Sequence, residues 1–270
     1  MAEQIILITG ASSGFGEACA RKFAAPGNRL ILTARRFERL EQVKDELAEK
    51  CPVHVVQLDV RDRSAVEKTF ASLPKGFDEV DVLVNNAGLA LGLEPAHQVD
   101  IQDWEVMVDT NVKGLMYCTR AILPGMVERD RGHVVNISST ASDWPYPGGN
   151  VYGGTKAFVN QFSRNLRTDL LGTRVRVTCI QPGMAETEFS NVRFKGNNEA
   201  ADKVYHGTQP MTAVDIAEAV AWASRSEDFV DRYRQSDQRF DYRLEARWAR
   251  DAGVRGPLKT LISAVLETAG

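Results

Sequence analysis

Apolar residues in this chain form short continuous runs, separated by longer stretches in which they recur every three or four positions. The runs at 4–9, 29–34, 53–58, 80–85, 132–138 and 174–181 predict strands. The stretches near 14–25, 37–50, 62–73, 103–130, 150–171 and 213–224 predict helices. Such alternation implies a parallel sheet covered on both faces by right-handed crossovers. The strands are unbroken apolar stretches, Asp81-Val82-Leu83-Val84 for example, as expected when both faces are buried. The expected fold is therefore α/β: a doubly wound, Rossmann-like parallel sheet in a single catalytic domain over residues 1–223. Ligands of such sheets bind beyond the carboxyl ends of the strands, and the polar motifs of this chain fall at those ends.

Two segments break the pattern. Residues 184–210 are too long for an ordinary connection and carry Phe189, Phe194 and Tyr205 among polar residues, which predicts a lid. From about Ser224, charges of both signs are interspersed as far as Arg255. Phe229, Tyr233, Phe240, Leu244 and Trp248 keep mostly four-residue spacing, and Leu258, Leu261, Ile262, Val265 and Leu266 make a second stripe after Gly253-Val254-Arg255-Gly256-Pro257. Residues 224–270 are thus expected to be an atypical tail, helical or poorly ordered.

The length of 270 residues, with 43% hydrophobic and 26% charged positions, suits one large α/β domain. A net charge of −3 gives no global attraction to nucleic acid or to an anionic membrane. No apolar run approaches membrane-spanning length. The chain enters the run Ile5-Ile6-Leu7-Ile8 almost at once, leaving no room for a signal peptide, so a cytoplasmic protein is expected. Cys19, Cys51, Cys118 and Cys179 form no Cys-x-x-Cys pair and read as packing thiols. His54, His97, His133 and His206 lack metal-ligand spacing, so no metal is expected.

The candidate chemistry starts with Tyr152 and Lys156. Four apart on a helix they share one face, so the ammonium can lie beside the phenol and favour its phenolate. Bringing a tyrosine from about pH 10 to about 7 takes roughly three pK units, or about 4 kcal/mol. Near the N-terminus, the turn Thr9-Gly10-Ala11-Ser12-Ser13-Gly14-Phe15-Gly16 allows close approach of backbone to a pyrophosphate at a helix N-terminus. About twenty residues on, where an acidic side chain would bind the ribose of NAD, the chain has Ala34-Arg35-Arg36. A guanidinium there either solvates the strand end or pairs with a 2′-phosphate, and the second reading favours NADP. Asp59-Val60 could hold the adenine, or Asp59 could cap the next helix.

The Thr-Gly-x-x-x-Gly-x-Gly turn, Asn85-Asn86-Ala87-Gly88, Asn111, Ser139, Tyr152-x-x-x-Lys156 and Pro182-Gly183 stand in an order and spacing that resemble the short-chain dehydrogenase/reductases over residues 4 to about 223. Within that family the likeness is to NADP-dependent 3-hydroxy acid dehydrogenases, which are similar to L-allo-threonine and serine dehydrogenases. It is carried by residues 86–96, 144–152 and 187–196. The resemblance implies that Tyr152 is the acid/base on the substrate hydroxyl and that Lys156 lowers its pKa and holds the nicotinamide ribose. It further implies that Ser139 bonds the reacting oxygen and that Asn111 anchors a water linking Lys156 to solvent. Asn86 would contact the cofactor, Pro182, Gly183 and Thr187 would line the nicotinamide, Thr187 bonding its carboxamide, and a homo-oligomer, a tetramer in the family, would be the working form. Relatives continue with a seventh strand, which nothing in Ser224–Gly270 resembles. Arg193, on the lid, is the candidate partner of a substrate carboxylate, with a solvated loop cation as the other reading. The expected activity is hydride transfer between NADP and a 3-hydroxy acid or the matching semialdehyde or ketone. A reductase of neutral carbonyls and a non-catalytic NADP-binding sensor are the alternatives.

Overall fold

The six apolar runs pair as one parallel sheet in the order β3-β2-β1-β4-β5-β6, formed by β1 (Ile5–Thr9), β2 (Arg29–Ala34), β3 (Val53–Gln57), β4 (Val82–Asn85), β5 (Gly132–Ile137) and β6 (Val175–Ile180). This computed structural model describes residues 3–199, 204–207 and 209–225. The helices expected within 226–266, and with them most of the tail, lie outside the described residues, as do lid residues 200–203 and 208.

Alternate residues of each strand face opposite sides, which is why the runs are apolar throughout. Ile6, Ile8, Leu30, Leu32 and Val84 point to one face. There they pack on Cys19 and Phe23 of α1 (Gly14–Phe23), Leu40 and Leu47 of α2 (Phe37–Leu47), and Ile216 and Val220 at the C-terminal end of the described chain. Leu7, Ile31, Leu83, Val134 and Val177 point to the other face. They meet Phe70 of α3 (Arg63–Ala71), Ile122 and Met126 of the helix before β5, and Leu166 of the helix after it. Each fully buried Leu or Ile contributes about 1.5–3 kcal/mol, so both layers are needed to cover the sheet.

Several details differ from the expected pattern. The helix anticipated over 103–130 is α4 (Ile101–Val108), a π-helical turn at Asp109–Gly114, and α5 (Leu115–Glu128). The extra residue in that turn rotates Asn111 inward, and such turns recur at functional sites. After β5 come a 3₁₀ turn at Thr140–Ser142 and α6 (Asn150–Asp169). The segment expected to be a lid carries regular structure among its described residues: β7 (Ala185–Glu186) pairs with β8 (Met211–Thr212), and the short helix α7 (Glu188–Arg193) stands just beyond. This two-strand clasp draws the ends of the lid together at the foot of α8 (Ala213–Arg225). Asp62, not Asp59, caps α3, accepting from Ala65 N at 3.0 Å.

Candidate active site

Between β1 and β4 the strand order reverses, which opens a crevice at their carboxyl ends. The glycine turn lies there. Gly10 has φ +67°, and a Cβ on it would come 2.9 Å from Ala87 Cα; a Cβ on Gly16 would come 2.4 Å from the Gly10 carbonyl oxygen. Only glycine fits either place. Ser13 precedes α1 without capping it through its side chain, so the N–H groups of the first turn remain available at the positive end of the helix. Asn86 ties the turn to β4, donating from Nδ2 to Thr9 O at 2.9 Å and to Gly10 O at 3.2 Å. The residues present therefore fit a diphosphate.

The two arginines after β2 behave differently. Arg36 donates from Nε to Ser12 Oγ (3.3 Å), from Nη2 to Ser13 Oγ (2.7 Å), and from Nη1 to Glu188 Oε2 (3.0 Å). Arg35 is exposed, and among the described residues its guanidinium enters no hydrogen bond or ion pair; its charge helps to lower the Asp59 carboxyl. That lowering comes first from the side-chain bond with Arg61. Asp59 thus makes a local turn with Arg61 rather than a helix cap, accepting from Arg61 N at 3.0 Å. Val60, buried, packs against Gly114 of the π-helical turn.

Asn111, Ser139, Tyr152 and Lys156 converge at the other end of the crevice. Buried Asn111 donates to Leu89 O (2.8 Å) and Thr155 Oγ1 (3.0 Å) and accepts from Leu89 N (2.8 Å). It so joins the loop after β4 to α6. Gly88 lies between Asn111 and Lys156: a Cβ there would come 3.2 Å from Asn111 Oδ1 and 3.5 Å from Lys156 Nζ. Lys156 Nζ donates to Ile137 O at 2.9 Å and sits 5.8 Å from the Tyr152 ring centroid. The adjacent serines separate cleanly. Ser138 Oγ donates to Lys156 O at 2.8 Å, whereas Ser139 Oγ accepts from Ala141 N at 3.1 Å and its hydroxyl favours the Tyr152 phenolate.

Electrostatics here correct one expectation. Tyr152 is pushed up to about 12, chiefly by burial; the Ser139 hydrogen bond and the Arg193 charge work against this, and the Tyr146 phenol works with it. Lys156, wholly buried, falls to about 8 for the same reason. Lys156 is not among the charges that act on the Tyr152 phenol here, and burial, which penalises phenolate and ammonium alike, prevails over the anticipated lowering. In the protein alone, Tyr152 holds its proton.

A largely apolar wall surrounds the phenol: Leu89, Ala90 and Met107, with Trp104, Val151 and Phe189 packed on them. The Phe189 and Tyr152 ring centroids are 5.7 Å apart. Arg193 reaches into this wall, its guanidinium 5.6 Å from the Tyr152 centroid and 5.3 Å from that of Tyr146. It donates from Nε to Gly92 O (3.1 Å) and from Nη2 to the Tyr146 hydroxyl (2.9 Å). Thr187 caps α7 and lies against Gly14, while Pro182 O accepts from Thr140 N at 3.0 Å, placing the 182–187 stretch beside the crevice. Tyr146, Glu188 and Arg39 were not singled out from the sequence, although all but Arg39 fall in the segments that carried the closer likeness.

This chain belongs to the short chain dehydrogenase family, whose model matches residues 4–198. It is 62% identical to the NADP-dependent 3-hydroxy acid dehydrogenase YdfG of Salmonella typhi over 221 residues, 82% of this chain and 88% of the relative. It is 53% identical to sulfoacetaldehyde reductase 2 of Chromohalobacter salexigens over 82% of this chain and 88% of that protein. The closed form of a serine dehydrogenase complexed with NADP+ superposes with a TM-score of 0.80 at 59% identity, covering 82% of this chain and 89% of that one.

Proposed function

We propose that the protein is an NADP-dependent dehydrogenase that moves a hydride between the cofactor and the hydroxyl-bearing carbon of a 3-hydroxy acid. Serine and allo-threonine fall in that class, and the reverse reaction reduces the matching semialdehyde or ketone. The observation that carries this reading is Arg193, a guanidinium in an otherwise apolar wall 5.6 Å from the Tyr152 ring. The relatives named above act on a hydroxy acid, a sulfonated aldehyde and serine, so each substrate carries an anionic group that such a cation suits.

NADP supplies the hydride acceptor and, when oxidised, a cationic ring; the residues do the rest. Tyr152 exchanges the proton of the substrate hydroxyl, and Ser139 holds that oxygen as charge develops on it. Lys156, with two N–H groups beyond its bond to Ile137 O, holds the nicotinamide ribose. Asn111 fixes the loop above it and lines the proton route at Gly88. Pro182, Gly183 and Thr187 border the nicotinamide, while Gly10, Ala11, Ser12, Ser13, Gly14, Phe15 and Gly16, held by Asn86, receive the diphosphate. Asp59 and Val60 flank the adenine. Arg35, uncommitted among the described residues, reads the 2′-phosphate. Arg35→Ala is accordingly expected to weaken NADP binding about tenfold or more and NAD binding little, by calorimetry. Equal losses would remove Arg35 from the phosphate site.

Initial rates with NADP and NAD over 3-hydroxy acids and simple alcohols test the function itself. Turnover of 3-hydroxy acids with NADP should far exceed that of neutral alcohols, and the reverse ranking would favour a reductase of neutral carbonyls. The companion reading is a cytoplasmic homo-oligomer; among the described residues no helix is long and apolar enough to cross a membrane. Tetramer formation is expected to be impaired, because nothing in residues 224–270 resembles the seventh strand with which relatives continue. Light scattering checks this, and a tetramer stable on dilution would contradict it.

A further inference from the structure

Glu188 is the first residue of α7, and both of its carboxylate oxygens are taken. Oε2 accepts from Arg36 at 3.0 Å and Oε1 from Arg39 at 2.8 Å. Arg36 and Arg39 lie on one side of the nucleotide crevice, at the start of α2, and Glu188 lies on the other, on the lid. Resting on the reading of that crevice as the NADP site, we propose that Arg36, Glu188 and Arg39 form a latch that fastens α7 over the bound nucleotide, so that release of the cofactor requires the latch to open.

Three observations support this. First, Arg36 has its N–H groups distributed over Ser12, Ser13 and Glu188, whereas Arg35 is uncommitted. A 2′-phosphate therefore has a guanidinium to take without breaking the cluster, and Arg36 acts as a positioning residue that links the glycine turn to the lid. Second, α7 is held at both ends. Beyond the Glu188 end, Thr187 lies 3.5 Å from where a Cβ on Gly14 would stand. At the other end, Arg193 O accepts from Gly92 N at 2.9 Å and Lys195 pairs with Asp103 at 2.8 Å. A change at the nucleotide end is thus transmitted along one short helix to the guanidinium beside Tyr152. Third, an open groove of about 500 Å³ borders the stem of the lid, lined by Gly14 and Ala18 of α1, Thr187, Glu188, and Val214 and Ala217 of α8, so among the described residues the stem is not packed closely on that side.

The three side chains are 45%, 48% and 37% exposed, so the latch is weak enough to open in each turnover and is screened by salt. Its expected effect is correspondingly modest. Stopped-flow displacement of NADPH and of NADH, followed by their fluorescence, should show dissociation about threefold to tenfold faster in Glu188→Gln and in Arg39→Gln. Both nucleotides should be affected by the same factor, and the double variant should be no faster than Glu188→Gln alone, which already removes both ion pairs. Rising salt should bring the wild-type rate toward that of the variants. Two results would overturn the latch: unchanged rates in both variants, or slower release and tighter binding of NADPH alone in Glu188→Gln, which would make Glu188 a competitor of the 2′-phosphate. The measurement needs no substrate. Wild-type protein that fails to bind NADPH would sink the functional reading, whereas normal binding with unaffected variants would sink only the latch.

Discussion

Tyr152→Phe is expected to lower kcat by at least about a hundredfold, the scale of help a positioned acid/base gives, while leaving NADP affinity and KM nearly unchanged. The split follows from the geometry. The ring is held by Phe189, Leu89 and Met107, and phenylalanine keeps those contacts. Only the hydroxyl is lost, and with it the group proposed to exchange a proton with the reacting oxygen. Ser139 remains but cannot take over, because a serine hydroxyl offers a hydrogen bond and no accessible titration. Burial also raises the phenol in the protein alone to about 12, and the oxidised cofactor would bring a positive charge that lowers it. The limb of the kcat profile assigned to Tyr152 should therefore lie well below that value in the complex, and should be missing in Tyr152→Phe. Turnover within tenfold of wild type, in protein freed of host dehydrogenases, would contradict the role given to Tyr152.

Much of this arrangement was legible in the residues because the local and global signals agree. Each of the six strands falls within about two residues of the apolar run that announced it, since a strand buried on both faces admits few polar side chains. The glycine turn was equally plain, because the close approaches at Gly10 and Gly16 exclude every side chain. What was hidden depends on contacts distant in sequence. Asn111 reads as a polar residue in a helix, and only the π-helical turn, stabilised by its bonds to Leu89 and Thr155, turns it inward. Arg35 and Arg36 look equivalent side by side. They part because Glu188, about 150 positions away, meets Arg36 and not Arg35. The Tyr152–Lys156 spacing predicts adjacency correctly but says nothing of burial, and burial decides both proton affinities. Lys156, lowered from 10.5 to about 8, costs the folded state on the order of 3 kcal/mol near neutral pH, as sites kept for chemistry often do.

Arg193→Ala is expected to reduce kcat/KM for 3-hydroxy acids by about ten- to a hundredfold, mainly through KM, the range of a charge-assisted hydrogen bond. Two of the five guanidinium N–H groups are spent on Gly92 O and the Tyr146 hydroxyl, which fix its plane; three remain for a substrate anion. Because the Arg193 charge also favours ionisation of Tyr152, the variant should lose some kcat on every substrate. The diagnostic quantity is therefore the ratio of kcat/KM for a 3-hydroxy acid to that for a neutral alcohol of similar size, which should fall steeply. Arg193→Lys should recover only part of that ratio, since an ammonium restores the charge but cannot bridge Gly92, Tyr146 and a carboxylate at once. Tyr146→Phe should produce a smaller fall of the same kind, through a guanidinium left free to turn. If Arg193→Ala depressed charged and neutral substrates equally, Arg193 would act only on Tyr152, and reduction of neutral carbonyls would become the better description of the enzyme.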